Sequence, residues 1–215
     1  MAAPALTPRV THAAYLAFER AAEARHAFHD GEIYAMAGGT PAHSVLGANA
    51  TRALGVALAQ HACTAASSDQ RIYISQDHSA YADAAVICPP LARPPEDPDA
   101  LTNPTLLLEV TSRTSATWDR DGKFALYRTL PSLRHYLVVA HEAWQVDHFE
   151  RLPDGSWRMT SHGPGDSVEI GSLGIRLSVD DLYAKVEAFG GPGRDARPRP
   201  VSYPGPGRGT RTVSG

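Results

Sequence analysis

Two carboxylates in this chain sit where carboxylates are rare: Asp83 inside the run YADAAVIC and Glu109 at the end of TLLLEVTS. An ionised carboxylate among apolar residues is costly unless a cation, hydrogen bonds or solvent at a sheet end compensates. One hard divalent cation shared by the two would satisfy both, because magnesium takes one or two protein carboxylates and keeps several waters. Lys123 follows, four residues before Tyr127, so on a helix the two share a face. A lysine returning toward such a cation can orient an attacking water or offset charge developing on a phosphate. His43, just past the Gly38-Gly39 break, is a candidate substrate contact or a helix-capping residue. Arg113, Arg120 and Arg128 surround the acids and the lysine in sequence and are candidates for phosphate contact, or for ordinary solvated positions.

These groups need elements to hold them. Residues 11–25 place Ala14, Tyr15, Phe18, Ala21 and Ala22 on one helical face with Thr11 as N-cap. Residues 28–36 read as a hairpin or strand around Asp30-Gly31, and Pro41 opens a helix running to about residue 61. Short strands are expected at 71–75 and 82–88, then an exposed loop over 89–103, which holds five prolines. The continuous apolar run 105–110 reads as a strand buried on both faces. Residues 115–130 have helical spacing in Trp118, Phe124, Tyr127 and Leu130 and stop before Pro131. Strands follow at 135–140 and 144–150, more β-structure at 158–161 and 167–170, and a closing helix over 179–188. That order predicts an α/β fold, a central mixed sheet with helices on its faces.

Composition sets outer bounds. A chain of 215 residues, 43% hydrophobic and 20% charged, suits one soluble domain, residues 1–189, with a Gly/Pro/Arg-rich tail over 190–215 that is expected to be disordered. No apolar run has the length of a membrane span, and the first ten residues lack the pattern of a secretory signal, so a cytoplasmic location is expected. The tail carries five arginines and one aspartate, a charge of +4, which leaves −7 on the remainder of a chain whose total is −3. An acidic body argues against a protein that coats nucleic acid electrostatically, though not against an enzyme with a local basic groove. Cys63 and Cys88 lack metal or redox spacing and read as buried free thiols. His26 and His29 read as surface or capping residues near a helix end, and Asp69 as a turn residue.

The segments HDGEIYAMAGGTPAHSVLGANATRAL, SSDQRIYI, YADAAVI, NPTLLLEVTSRTS and WDRDGKFALYRTLPSLRHYLVV, in that order, resemble the Uma family of restriction endonucleases over about residues 15–150. The resemblance implies the PD-(D/E)XK nuclease fold, in which a central mixed sheet carries the metal site. By position, the proline-aspartate motif becomes Ala82-Asp83, the acidic strand residue becomes Glu109, and the lysine moved onto the following helix becomes Lys123. Thr111 stands where the parent pattern has a strand lysine, and Ala27 where family members commonly have a glutamate, for which Glu23 or Glu32 could substitute. The implied function is a metal-dependent endonuclease acting on DNA, with magnesium or manganese held by Asp83 and Glu109, and a homodimer is expected so that both strands are cut. The alternative, motivated by Ala27 and the acidic body, is a non-cutting nuclease fold used for nucleic-acid binding or protein association.

Overall fold

A computed structural model describes residues 9–36, 38–111 and 118–196, with the backbone alone described at 118–120. Helix α1 (His12–Ala21) is capped by Thr11, whose hydroxyl accepts from the Ala14 amide at 3.2 Å. Its buried face is Tyr15, Leu16 and Glu19, whereas Phe18, expected inside, is 45% exposed. Glu19 is the reason: its Oε1 accepts from the Tyr81 hydroxyl at 2.8 Å and the His26 amide at 3.1 Å, and these bonds rotate the helix toward them. Strands β1 (His26–His29) and β2 (Glu32–Ala35) then form the expected hairpin. Asp30 and Gly31 turn it with φ of 50° and 82°, the pair of positive values a tight I′ turn requires. His26 and His29 therefore lie in a strand rather than at a helix end.

Helix α2 (Pro41–Ala57) starts as predicted, with Pro41 in its first turn, and ends four residues short of the expected stop at about 61. Strands β3 (Thr64–Ser67), β4 (Arg71–Ser75), β5 (His78–Tyr81), β6 (Ala84–Ile87), β7 (Ala100–Leu101) and β8 (Pro104–Val110) follow. A π-helix (Trp118–Lys123) runs directly into helix α3 (Phe124–Tyr127). Strands β9 (His135–Val139), β10 (Val146–Arg151), β11 (Trp157–His162), β12 (Ser167–Ile170) and β13 (Ile175–Ser178), helix α4 (Val179–Leu182) and two 3-10 turns, Gly171–Leu173 and Glu187–Phe189, complete the described elements. Residues 115–117 of the expected third helix lie outside the described residues, as does the tail from 197 onward. Within 190–196, Pro192 accepts from Trp144 Nε1 at 3.0 Å and the Arg194 guanidinium lies 5.2 Å from the Trp144 ring centre. No helix among the described residues is long and apolar enough to cross a membrane.

The main sheet has the order β11-β10-β9-β8-β6-β3, with β8 and β9 parallel and the other neighbours antiparallel. Its centre is buried on both faces, which explains the unbroken apolar run of β8. Leu106, Leu108 and Val110 face α2 residues Leu46, Ala50 and Leu54 and helix α4, while Leu107 faces Tyr127, Leu130, Leu133 and Tyr136. Each fully buried leucine here contributes about 2 kcal/mol of transfer free energy. A second sheet, β2-β1-β5-β4-β7, carries α1 on one face, and β12 pairs with β13 as a separate ribbon.

Two expectations are corrected. Residues 89–103 are not merely an exposed loop: Asp97 is 0% exposed and takes both Nε and Nη2 of Arg71, at 2.7 and 2.6 Å. The third guanidinium nitrogen of Arg71 donates to the Tyr81 hydroxyl at 2.7 Å, which donates on to Glu19. Burial lowers the Arg71 pKa, but its bonds to Asp97 and Tyr81 outweigh that and hold it above its ordinary value. Cys63 and Cys88 are not free thiols but a disulfide with Cα atoms 4.1 Å apart. Antiparallel pairing of Thr64 with Ile87 sets the next residues of β3 and β6 opposite each other, and those are the two cysteines.

Candidate active site

Register brings the acids together. Ala84 of β6 opposes Leu108 of β8, and Ala85 opposes Leu107. The next pair outward along the same ladder is Asp83 and Glu109. Glu109 shares the face of Leu107 and Tyr127, toward α3, whereas Asp83 lies at the bend just before β6. Asp83 Oδ2 accepts from the Val110 amide at 2.7 Å, which fixes its carboxylate beside the end of β8. Glu109 is 3% exposed and is met from α3 by two donors. Lys123 Nζ lies 2.8 Å from Oε2, and the Tyr127 hydroxyl donates to Oε1 at 2.8 Å. These two residues sit one helical turn apart, so one face of the π-to-α junction delivers both to the same carboxylate. Thr111, at the strand position where a lysine was absent, is buried and accepts from the His141 amide at 3.2 Å.

His43 arrives from the opposite side of the sheet. Thr40 caps α2 by accepting from the His43 amide at 3.2 Å, so the cap and the histidine belong to one turn. The His43 ring Nε2 lies 3.0 Å from the Val110 carbonyl oxygen and 3.7 Å from Asp83 Oδ2. A proton on Nε2 donated to that carbonyl fixes the tautomer. Gly39 has to be a glycine: a Cβ there would lie 2.6 Å from His43 Nδ1. Ala82 is buried at 2% exposure and packs without the proline of the parent motif.

Asp83 and His43 open onto a cleft of about 800 Å³ that is also lined by Glu23, Arg25, Gly39, Gly47, Arg52 and Ser68. Of the two acids weighed as stand-ins for Ala27, Glu23 lines this cleft, whereas Glu32 is exposed and hydrogen-bonded by Tyr34. Arg25 holds the Ser68 carbonyl at 2.6 Å and Asp69 at 2.8 Å, so Asp69 serves the β3–β4 turn as expected. Arg113 lies outside the described residues, Arg120 is described by its backbone alone, and Arg128 is exposed at the end of α3. Arg25 and Arg52 were not singled out from sequence. For Arg52 the available signal was the face of α2 that carries it beside Ser44, Gly47, Ala48 and Thr51, small residues that leave room beside the helix; Arg25, just before β1, had no such signal.

The donors at this end of the sheet are chiefly oxygens, the Asp83 and Glu109 carboxylates and the Val110 carbonyl, with the His43 Nε2 engaged on that carbonyl. Hard oxygen donors suit magnesium or manganese rather than a softer ion. A carboxylate has about four lone-pair sites, so accepting hydrogen bonds is compatible with also binding a cation. The residues present therefore fit a magnesium-class ion.

A family model described as "Uma2: Putative restriction endonuclease" matches residues 12–180. The uncharacterized protein slr1290 of Synechocystis sp. is 32% identical over 178 residues, covering 82% of this chain and 92% of that protein. The uncharacterized protein sll1609 of the same organism is 34% identical over 171 residues, covering 77% and 94%. The crystal structure of a "putative nuclease belonging to DUF820" from Anabaena variabilis has the same fold, with a TM-score of 0.65 at 16% identity over 82% of this chain and 99% of that one.

Proposed function

Because the chain belongs to the Uma2 family of restriction endonuclease-like proteins, we propose that it hydrolyses phosphodiester bonds in DNA with a divalent cation held by Asp83 and Glu109. The observation that carries this reading is that Asp83, which lines an open cleft, takes the amide of Val110, the residue next to Glu109, and that Glu109 is in turn met by Lys123. A magnesium or manganese ion bound there would supply Lewis-acid polarisation of the phosphate and a lowered pKa for water.

The chain's own residues do the rest. Asp83 is held for the ion by the Val110 amide, and Glu109 by Tyr127 and Lys123. The Lys123 ammonium, 23% exposed in its side chain, brings positive charge to the place where a phosphate gains negative charge in the transition state. His43, anchored on the Val110 carbonyl, flanks Asp83 and presents its ring to the cleft as a substrate contact. Arg52 on the cleft wall would offer a cation to a phosphate, whereas the Arg25 guanidinium is engaged by Asp69 and the Ser68 carbonyl. Two copies of the chain would place two such sites on a duplex.

Nicking of supercoiled plasmid tests the proposal. Wild-type protein with magnesium or manganese should nick, and Asp83→Ala, Lys123→Ala or added EDTA should abolish nicking while the circular dichroism spectrum is retained. Equal nicking by Asp83→Ala would sink the assignment. Metal-independent DNA binding without cleavage by the wild type would favour the non-cutting fold.

A further inference from the structure

At the far end of β5 from Asp83, His29 and His78 stand directly opposite each other across β1 and β5. Their rings stack with centroids 4.6 Å apart and planes inclined by 29°. Asp30 follows His29 in the hairpin turn, and its carboxylate faces both rings: His29 Nε2 lies 3.5 Å from Oδ2 and His78 Nε2 lies 3.7 Å from Oδ1. These separations are too long for hydrogen bonds. They are close to the edge of a tetrahedron whose metal–ligand bonds are about 2.1 Å, which is about 3.4 Å.

The backbone holds the three groups in place. Asp30 sits at φ 50°, a left-handed conformation that aspartate tolerates, and its amide donates to the Asp77 carbonyl at 2.9 Å. That bond ties the β1–β2 turn to the β4–β5 turn, so the backbone that carries the carboxylate is anchored beside the two rings. Among the described residues, His29, Asp30 and His78 form the one group of three or more histidine, cysteine or acidic side chains close enough to share an ion.

We infer that His29, His78 and Asp30 form a second cation site, separate from the Asp83–Glu109 pair, taking a borderline transition-metal ion such as zinc, with one nitrogen from each imidazole and the Asp30 carboxylate as ligands. Two nitrogens and a carboxylate select zinc, cobalt or nickel over magnesium. Asp30 is 55% exposed in its side chain, so water can complete the coordination. The two Nδ1 atoms meet at 2.9 Å, where one ring donates and the other accepts. An ion that takes a nitrogen from each ring replaces that arrangement, and the rings part by a few tenths of an ångström. An ion here would clip two turns of the smaller sheet, a structural role that does not depend on the nuclease reading.

The test is titration of cobalt(II) into the full-length untagged chain carrying Asp83→Ala and Glu109→Ala, followed by its visible ligand-field absorption and by calorimetry. One saturable site with a tetrahedral or five-coordinate spectrum, displaced by zinc and resistant to excess magnesium, is expected. His78→Ala should weaken binding by about tenfold or more. Asp30→Asn, which keeps the turn conformation, should also weaken it while leaving the far-ultraviolet spectrum unchanged. Absence of saturable binding, or binding unaffected by His78→Ala and Asp30→Asn, would overturn the inference. Because the parent variant lacks both nuclease carboxylates, either result leaves the nuclease reading where it stood.

Discussion

Replacing Lys123 by methionine keeps a straight stem and removes the charge that reaches Glu109 at 2.8 Å. Glu109 is 3% exposed, and removing one partner of a buried ion pair costs about 3–5 kcal/mol. Lys123 is 23% exposed in its side chain, so water recovers part of that cost, and about 2 kcal/mol is the figure that follows. With an m-value of roughly 2 kcal/mol per molar, the urea midpoint in EDTA should fall by about 1 M. Glu109→Gln alone should cost a similar amount, because it leaves the ammonium without its carboxylate. The double variant should be little worse than either single one, a coupling of about 1.5 kcal/mol in the cycle. Nicking should fall about 10²–10³-fold in Lys123→Met, the cost of losing one preorganised donor to developing charge. Nicking by the double variant should be no lower than by Glu109→Gln, since the lysine acts at the same centre. Additive stabilities with wild-type nicking by Lys123→Met would refute both the ion pair's weight and the lysine's role.

Three further outcomes follow from the rest of the structure. Asp97→Ala strands the buried Arg71 guanidinium and should cost about 3–5 kcal/mol, whereas Arg71→Met with Asp97→Leu should recover most of it, both read by urea denaturation. His135 and His148 are hydrogen-bonded at 3.0 Å, and burial holds each pKa down at about 4 against an ordinary 6.5. The unfolded chain takes up these protons first, so their stability contribution is complete above pH 6.5 and is lost as pH falls from 6.5 to 4. The slope from the pair should reach about 2.7 kcal/mol per pH unit near pH 5, and His148→Gln, which keeps a hydrogen-bonding side chain without the proton uptake, should roughly halve it. Reducing the Cys63–Cys88 bond, which spans 25 residues, should lower stability by about 3.5 kcal/mol, and a Cys63→Ser variant should lose its response to dithiothreitol.

The parts of this architecture that could be read from sequence are those where one physical signal dominates. The apolar run of β8 has few alternatives to a doubly buried strand, and a carboxylate within it has to find partners, which Lys123 and Tyr127 supply. Lys123 was legible because its spacing from Tyr127 places both on one face, and both do meet Glu109. Strands β3, β5, β7 and β13 escaped notice because segments such as TAAS and HSAY hold only one β-branched or aromatic residue each, and tertiary pairing decides them. The Arg71–Asp97 pair joins residues 26 apart across a proline-rich segment, and nothing local distinguishes Asp97 from its solvated neighbours. Glu19 was hidden for a related reason, since its burial depends on Tyr81, 62 residues away. The disulfide needed the β3–β6 register, which spacing alone does not supply.

That Ala84 opposes Leu108 has a consequence for the young protein as well as the finished one. Side chains alternate along a strand, so sliding β8 by one residue would turn Glu109 toward the apolar side of α2 and away from Asp83, Lys123 and Tyr127. A nascent chain that has collapsed but mispaired these strands therefore holds no carboxylate pair for an ion. In the proposed reading, a copy with β8 out of register would lack the paired acids and would not cut.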